Sequence, residues 1–160
     1  MARAFVGVGA NLGDAAAQVR AAIGALATLP GTRLVAASSL YRTAPLGYAD
    51  QPDFINAAVL LETALAPRAL LEALQAVEAR SGRARSFKDA PRVLDLDLLL
   101  YGEEALHEPD LVVPHPRLHS RAFALAPLVE IDPDAVIPGR GPAKEWLARC
   151  ADQRVERIPA

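Results

Sequence analysis

Cysteine is almost absent from the sequence, since Cys150 is the only one among 160 residues. A single cysteine excludes a disulfide within the chain, so the fold cannot depend on such cross-links and a reducing compartment is expected. Apolar runs stay short of the roughly 18 residues that a membrane-spanning helix needs. The apolar stretch near the N-terminus is also too short for a secretion signal. We therefore expect a cytoplasmic protein that does not associate with membranes.

An excess of charge is also missing, because the net charge is −2 at pH 7. Nucleic acid is therefore not expected as a partner. The phosphate-binding motif G-x-x-x-x-G-K-[ST] does not occur in the sequence. The run from Gly7 to Gly13 resembles a dinucleotide fingerprint only superficially, because it begins inside a predicted strand. We interpret this run as a tight turn from a strand into a helix.

Hydrophobic periodicity predicts four strands and two helices in the order βαββαβ. The strands are predicted at 4–10, 33–41, 54–62 and 93–101. One helix follows the N-cap Asp14 to about residue 29, and the other extends from Pro67 to the C-cap Gly82. This order is typical of a ferredoxin-like α+β domain, an antiparallel sheet with its helices on one face. Residues 103–160 form a C-terminal extension of one domain, 1–160, with short predicted helices near 117–128 and 142–150.

Two acidic residues, Asp95 and Asp97, interrupt the leucines of the last predicted strand. Alternate residues share a strand face, so both carboxylates point the same way, with Cα atoms roughly 7 Å apart. The leucines at 94, 96 and 98 then point into the core. Two acids on one face repel each other, and a cation removes that cost. Oxygen ligands favour Mg²⁺, and the spacing permits two ions about 4 Å apart. An exposed strand face, with both acids in water or paired to arginine, is the alternative.

A basic segment precedes the two acids within thirteen positions of the chain, and its members are Arg80, Arg83, Arg85, Lys88 and Arg92. Arginine side chains bind phosphate oxygens in a two-pronged manner and offset charge that develops during transfer. A solvated loop explains the arginines when they are considered alone. Arginines beside two carboxylates are better explained together, as a metal–polyphosphate site.

A third pattern of residues suits the binding of a flat, polar ring. Phe54 and Asn56 alternate on one predicted strand, just after a turning loop that includes Thr43 and Leu46. Phenylalanine stacks on a planar heterocycle, and asparagine offers a donor and an acceptor together. The pair alone favours a plainer interpretation, in which the ring lies in the core and the amide caps a turn.

Taken together, these motifs resemble the 6-hydroxymethyl-7,8-dihydropterin pyrophosphokinase family of folate biosynthesis, over nearly the whole chain to about residue 138. When it occurs together with these other motifs, the block Pro-Arg-x-x-Asp-Leu-Asp is highly specific for this family. The matching segments are Gly9–Asp14, Tyr41–Gly47, Gln51–Ala57, Gly82–Arg85, Pro91–Gly102, Val113–His115 and Arg121–Phe123.

The resemblance implies an enzyme that moves the β,γ-diphosphate of ATP onto the hydroxymethyl oxygen of the pterin and releases AMP. It implies two Mg²⁺ ions on Asp95 and Asp97. The residues implied to act on the triphosphate are Arg83, Arg85 and Arg92. Those implied for the ATP site are Gln75, Glu78, Leu98, His115 and Arg121. For the pterin they are Phe54 and Phe123 as a sandwich, with Asn56 and the backbone at Thr43 and Leu46 at the ring edge.

The chain departs from the family pattern at Asp89-Ala90-Pro91-Arg92, where a Trp-Gly-Pro-Arg run is usual. The hypothesis that loop 84–92 closes over ATP falls on this segment. Two other classes stay open: a palm-like nucleotidyltransferase or cyclase, and a regulatory domain that binds a small molecule. Small-molecule substrates are expected. A monomeric state is also expected, because no long exposed apolar stripe is evident.

Overall fold

The structure is a computed structural model, and it describes residues 1–43, 53–81 and 94–159. The strands are β1 (Ala2–Ala10), β2 (Thr32–Ala37), β3 (Tyr41–Thr43), β4 (Phe54–Thr63), β5 (Asp95–Tyr101), β6 (Leu106–Glu108), β7 (Leu111–Val113), β8 (Val136–Ile137), β9 (Gly141–Pro142) and β10 (Val155–Arg157). The helices are α1 (Ala15–Leu26), α2 (Pro67–Ser81), α3 (Ala122–Ile131) and α4 (Ala143–Ala148), with a short 3-10 helix at Leu118–Ser120.

A central antiparallel sheet organises the molecule. Its strand order is β10-β3-β4-β1-β5, and β2 also pairs with β4. Strand β1 pairs along its whole length with β4 on one side, and over Ala4–Gly9 with β5 on the other. Two smaller hairpins, β6–β7 and β8–β9, lie outside this sheet.

Helices α1 and α2 cover one face of the sheet. Asp14 caps α1 by accepting a hydrogen bond from the backbone N–H of Ala17 at 3.1 Å. Buried positions recur at helical spacing in both helices, as an apolar stripe requires. The buried side chains that form this layer with the strands include Val19, Ala22, Leu26, Leu70, Leu74, Val77, Ala4, Val6, Val8, Leu96 and Leu98. Both helices predicted from the sequence therefore lie on this one face.

The opposite face carries a helix of the C-terminal extension, α3, whose position was not predicted from the sequence. Leu125 and Leu128 of α3 pack with Phe5, Leu60 and Leu99 of the sheet in a second buried cluster. The physical reason lies in the strands, which have apolar side chains pointing both ways and so need cover on both faces. The C-terminal extension supplies that cover.

The predicted strand at 33–41 is two strands in the structure. Ser38 separates them: its backbone N–H donates to Ala58 O, and its Oγ accepts from Ala58 N–H, both at 2.9 Å. A side-chain oxygen thus takes the place of a ladder carbonyl, and the chain slips in register before β3 pairs with the end of β4. Within the described residues, no helix is long and apolar enough to cross a membrane.

Candidate functional site

The second face of the sheet is covered only in part, and a cavity of about 270 Å³ opens beside the start of α3. Strands β1, β4 and β5 form its floor, while β3 and the start of α3 form its walls. The lining residues are Gly7, Val8, Gly9, Thr43, Phe54, Asn56, Ala57, Asp95, Asp97, Leu99, His115, Leu118, Arg121, Phe123 and Ala124. Eight residues predicted from the sequence for this site therefore line one cavity.

Two glycines of β1 make the floor of this cavity. Gly9 lies directly between Asp95 on β5 and Asn56 on β4, and Gly7 lies opposite Asp97. A Cβ atom built on Gly9 falls 2.8 Å from Asn56 Nδ2, which is closer than real contacts allow. As predicted, the run from Gly7 to Gly13 begins inside a strand, β1, and the chain then turns at residues 11–14 into α1. Glycine inside a strand, a known signal of close approach by a ligand or backbone, would have indicated this role.

The acidic pair has the predicted geometry. Asp95 and Asp97 are half-buried on the cavity side of β5, while Leu96 and Leu98 are buried against the helices on the other side. Two contacts hold the free edge of this strand. Leu96 donates its backbone N–H to Glu78 of α2 at 2.8 Å, and the carbonyl of Leu99 accepts from the backbone N–H of His115 at 2.9 Å.

His115 is brought beside the acids by this second contact. Its Nε2 lies 3.9 Å from Asp97 Oδ1, and its Nδ1 accepts a hydrogen bond from the backbone N–H of Arg117 at 3.1 Å. Burial lowers the pKa of His115, the charge of Asp97 opposes this, and Arg121 and Arg117 add to the lowering. A neutral ring whose Nδ1 accepts carries its proton on Nε2, the nitrogen nearer Asp97. Burial also lowers the pKa of the Arg121 guanidinium, against the charge of Asp97.

The far end of the cavity is aromatic and carries one oriented amide. Thr43 Oγ1 donates to Asn56 Oδ1 at 2.9 Å, and both side chains are buried. This bond directs the donor end of the carboxamide, Nδ2, toward Gly9 and the cavity floor. Phe54 and Phe123 line the cavity and are half-buried, and the guanidinium of Arg121 lies 5.3 Å from the centre of the Phe123 ring. The plainer interpretation of Phe54 and Asn56 as core and turn cap does not hold.

A second cavity of about 280 Å³ adjoins the first one and shares Asp97 and His115 with it. Its other walls are mostly apolar: Leu71, Leu96, Leu98, Pro109, Asp110, Leu111, Val112 and Pro116. Leu71 of α2 begins a helical stripe that continues through Gln75 and Glu78, four and seven residues further on. Gln75 is exposed, and Glu78 holds β5 through Leu96. Neither lines the described cavities.

Four predicted site residues lie outside the described part of the chain: Leu46, Arg83, Arg85 and Arg92. The same is true of the predicted C-cap Gly82 and of loop 84–92. Of the arginines predicted for the polyphosphate site, only Arg121 therefore lies in the described part of the chain.

The donor set at the acidic pair fits Mg²⁺. Asp95 and Asp97 share a face of one strand and open into the cavity, with the Asp97 side chain 46% exposed. Mg²⁺ is commonly held by one or two carboxylates, while water and substrate phosphates complete its shell. Among the described residues, no group of three or more His, Cys, Asp or Glu side chains is placed to hold a metal.

Tyr41, which lies opposite Asn56 in the sheet, gives a pH-dependent prediction. Burial first, and then the hydrogen bond to Glu130 at 2.5 Å, raise the pKa of Tyr41 to about 12. Since the unfolded value is about 10, the stabilisation is fully present below that pH and is lost as pH rises toward 12.

The free energy of unfolding, relative to that of Tyr41→Phe, should be constant from about pH 6 to about pH 9, where the Glu130 partner stays ionised. Above about pH 10 it should fall by up to about 1.4 kcal/mol per pH unit. Urea unfolding of both proteins across this range measures the difference, and parallel curves would contradict the assignment.

The fold and the cavity define an α+β protein in which an acidic pair and an aromatic slot with an oriented amide share one site. Residues 5–133 match the family described as 7,8-dihydro-6-hydroxymethylpterin-pyrophosphokinase (HPPK), and the chain belongs to this family.

Curated relatives agree with that assignment, and a solved structure agrees with the fold. The chain is 48% identical over 157 residues to the 2-amino-4-hydroxy-6-hydroxymethyldihydropteridine pyrophosphokinase of Pseudomonas aeruginosa, covering 98% of this chain and 97% of that one. The protein of the same name from Methylorubrum extorquens is 45% identical over 158 residues, covering 99% of each. A triple-mutant HPPK-DHPS structure from Plasmodium falciparum has a TM-score of 0.73 at 13% identity, covering 94% of this chain and 44% of that one. This last likeness concerns the fold alone, and the chain spans less than half of that larger protein.

Proposed function

We propose that this chain transfers the β,γ-diphosphate of ATP to the hydroxymethyl oxygen of 6-hydroxymethyl-7,8-dihydropterin, forming AMP and the pterin diphosphate for folate synthesis. The observation that carries the proposal is the single cavity with Asp95 and Asp97 at one end and Phe54, Asn56 and Phe123 at the other. Membership of the pyrophosphokinase family supports it.

The alcohol oxygen of the pterin attacks the β-phosphorus of ATP and forms a new O–P bond. The bond from that phosphorus to the oxygen bridging it to the α-phosphorus breaks, and AMP leaves with that oxygen. The alcohol proton passes to a base, for which Asp97 is our candidate. Such a transfer needs alignment and charge neutralisation more than covalent help, so no covalent nucleophile is assigned.

The aromatic slot binds the acceptor in this proposal. Phe54 and Phe123 stack on the two faces of the pterin, and Asn56 with the backbone at Thr43 and Leu46 contacts its polar edge. The hydrogen bond from Thr43 to Asn56 supports this role, because it leaves Nδ2 directed into the cavity as a donor. A carboxamide held in one orientation selects for a complementary ring edge.

The acidic pair and its neighbours bind the nucleotide. Asp95 and Asp97 hold two Mg²⁺ ions, which when bound offset the negative charge on the transferring phosphates. His115 and Arg121, together with Arg83, Arg85 and Arg92, contact phosphate oxygens. The adjoining apolar cavity, with Leu98 in its wall and Gln75 and Glu78 on the neighbouring helix, takes the remainder of ATP.

We propose in addition that the βαββαβ core is ferredoxin-like, that residues 1–160 form one domain, and that the protein acts as a cytoplasmic monomer. The strand order around β1, with β4 and β5 as its neighbours, supports the topology. Size-exclusion chromatography at several protein concentrations tests the oligomeric state.

One assay tests the reaction. Purified protein is incubated with ATP, Mg²⁺ and 6-hydroxymethyl-7,8-dihydropterin, and the nucleotide and pterin products are separated. We expect AMP and pterin diphosphate in equal amounts. Free pyrophosphate with a nucleotidyl product or a cyclic nucleotide would identify a nucleotidyltransferase or cyclase instead. Binding of the pterin without turnover would indicate a regulatory domain.

A further inference from the structure

Helix α3 carries one wall of the first cavity, and a carboxylate at its far end ties it to the opposite wall. Glu130 follows Phe123 by seven residues, two helical turns, so both side chains lie on the same side of α3. Glu130 accepts hydrogen bonds from the Ser39 backbone N–H and Oγ, at 3.0 Å each, and from the Tyr41 hydroxyl at 2.5 Å. Arg157 of β10 lies 3.8 Å from the carboxylate and donates to Ser39 Oγ at 2.9 Å.

These hydrogen bonds give α3 a directional restraint that its apolar contacts lack. Leu125 and Leu128 bury α3 against the sheet, but apolar burial is non-directional and tolerates a small slide or rotation of a helix. Hydrogen bonds to a carboxylate weaken steeply when their angles change, and charge makes them stronger than neutral ones. Glu130 therefore restrains the position of α3 along the sheet.

Through Tyr41, Glu130 ties α3 to β3, the strand whose Thr43 holds the Asn56 amide of β4 in place. Tyr41 pairs directly with Asn56, and Thr43, two residues further on, pairs with Phe54. We propose that Glu130 is a positioning residue that sets the separation of Phe123 from Phe54 and Asn56. The separation of these walls governs how tightly a flat acceptor substrate stacks, and this inference rests on the function proposed above.

The variant Glu130→Gln tests this role, since glutamine keeps the shape but places an NH₂ group against donors of Ser39 or Tyr41. At saturating ATP and well below the melting temperature, we expect the KM for the pterin to rise roughly tenfold, a loss of about 1.4 kcal/mol in binding. The KM for ATP should stay within about twofold, because among the described nucleotide groups only Arg121 borders α3, and the others lie on β5, α2 and the segment around His115.

Two further variants separate positioning from general stability. Tyr41→Phe removes one of the bonds and should raise the pterin KM in the same direction but less, and the double variant should cost less than the sum of the two. Glu62→Gln is the matched control, because Glu62 pairs with Arg33 at the opposite end of β4, far from the cavity. It should leave both KM values unchanged.

An unchanged pterin KM in Glu130→Gln, or an equal rise in the ATP KM, overturns the positioning role. So does an equal pterin effect in Glu62→Gln. If the wild-type protein does not form AMP and pterin diphosphate, the proposed function is overturned instead of the positioning role. In that case equilibrium binding of the pterin to wild type and Glu130→Gln still decides the positioning role.

Discussion

Replacing Asp97 with asparagine should lower kcat/KM on the order of a thousandfold while the protein remains folded. Asparagine keeps the shape of the side chain but removes the negative charge that the cation requires. The side chain faces the cavity and is 46% exposed, so no buried packing is lost. Steady-state formation of AMP measures the loss, and urea unfolding checks that the fold is intact.

A matched acid outside the cavity provides the control. Glu103 is exposed in the turn that follows β5, so Glu103→Gln removes one carboxylate near the same strand. Its activity and its Mg²⁺-dependent ATP binding should equal those of the wild type. An Asp97→Asn protein that keeps more than about a tenth of the wild-type kcat/KM would refute the role of the acidic pair.

Much of the core could be predicted because its sequence patterns are local. Helices α1 and α2 have apolar stripes within their own sequences, and Asp14 caps the start of α1. The alternation of Asp95, Leu96, Asp97 and Leu98 likewise indicates which side chains face the core. Patterns of this kind need no knowledge of distant contacts.

Features set by distant contacts could not be predicted in this way. The break between β2 and β3 depends on Ser38 meeting Ala58, twenty residues away. The edge strand β10 has three residues and exists because it pairs with Tyr41–Thr43. Helix α3 has an apolar sequence with little directional pattern, so the sequence did not indicate that it covers the second face, where it packs with Phe5 and Leu60.

The residues of the site also divide into those that local patterns indicate and those that depend on distant contacts. Acids, arginines and the Phe54–Asn56 pair carry chemistry that residue type alone indicates, and those that the structure describes meet at one cavity. Gly9 contributes by having no side chain. Whether a side chain fits there depends on the residue paired with it across the sheet. That neighbour, Asn56, is known only from the register of β1 and β4.

Gly9→Ala should therefore lower kcat/KM for the pterin on the order of a hundredfold. The added Cβ falls 2.8 Å from Asn56 Nδ2, so the carboxamide must move. Asn56 is buried and its Oδ1 is held by Thr43, so moving it breaks a hydrogen bond and misdirects the donor. Overpacking at a buried contact also costs about 1–3 kcal/mol of stability, which urea unfolding measures.

Two other glycines isolate the cause of this loss. A Cβ on Gly7, two residues away on the same floor, meets Leu99 at an ordinary 3.5 Å, so Gly7→Ala should lose far less activity than Gly9→Ala. Gly24 is exposed on α1 with open space around it, and Gly24→Ala should leave activity unchanged. In a protein that already carries Asn56→Ala, adding Gly9→Ala should cost little more, because the amide it displaces is gone. Equal losses in Gly7→Ala and Gly9→Ala, or full additivity with Asn56→Ala, would show that the glycine acts on something other than the amide.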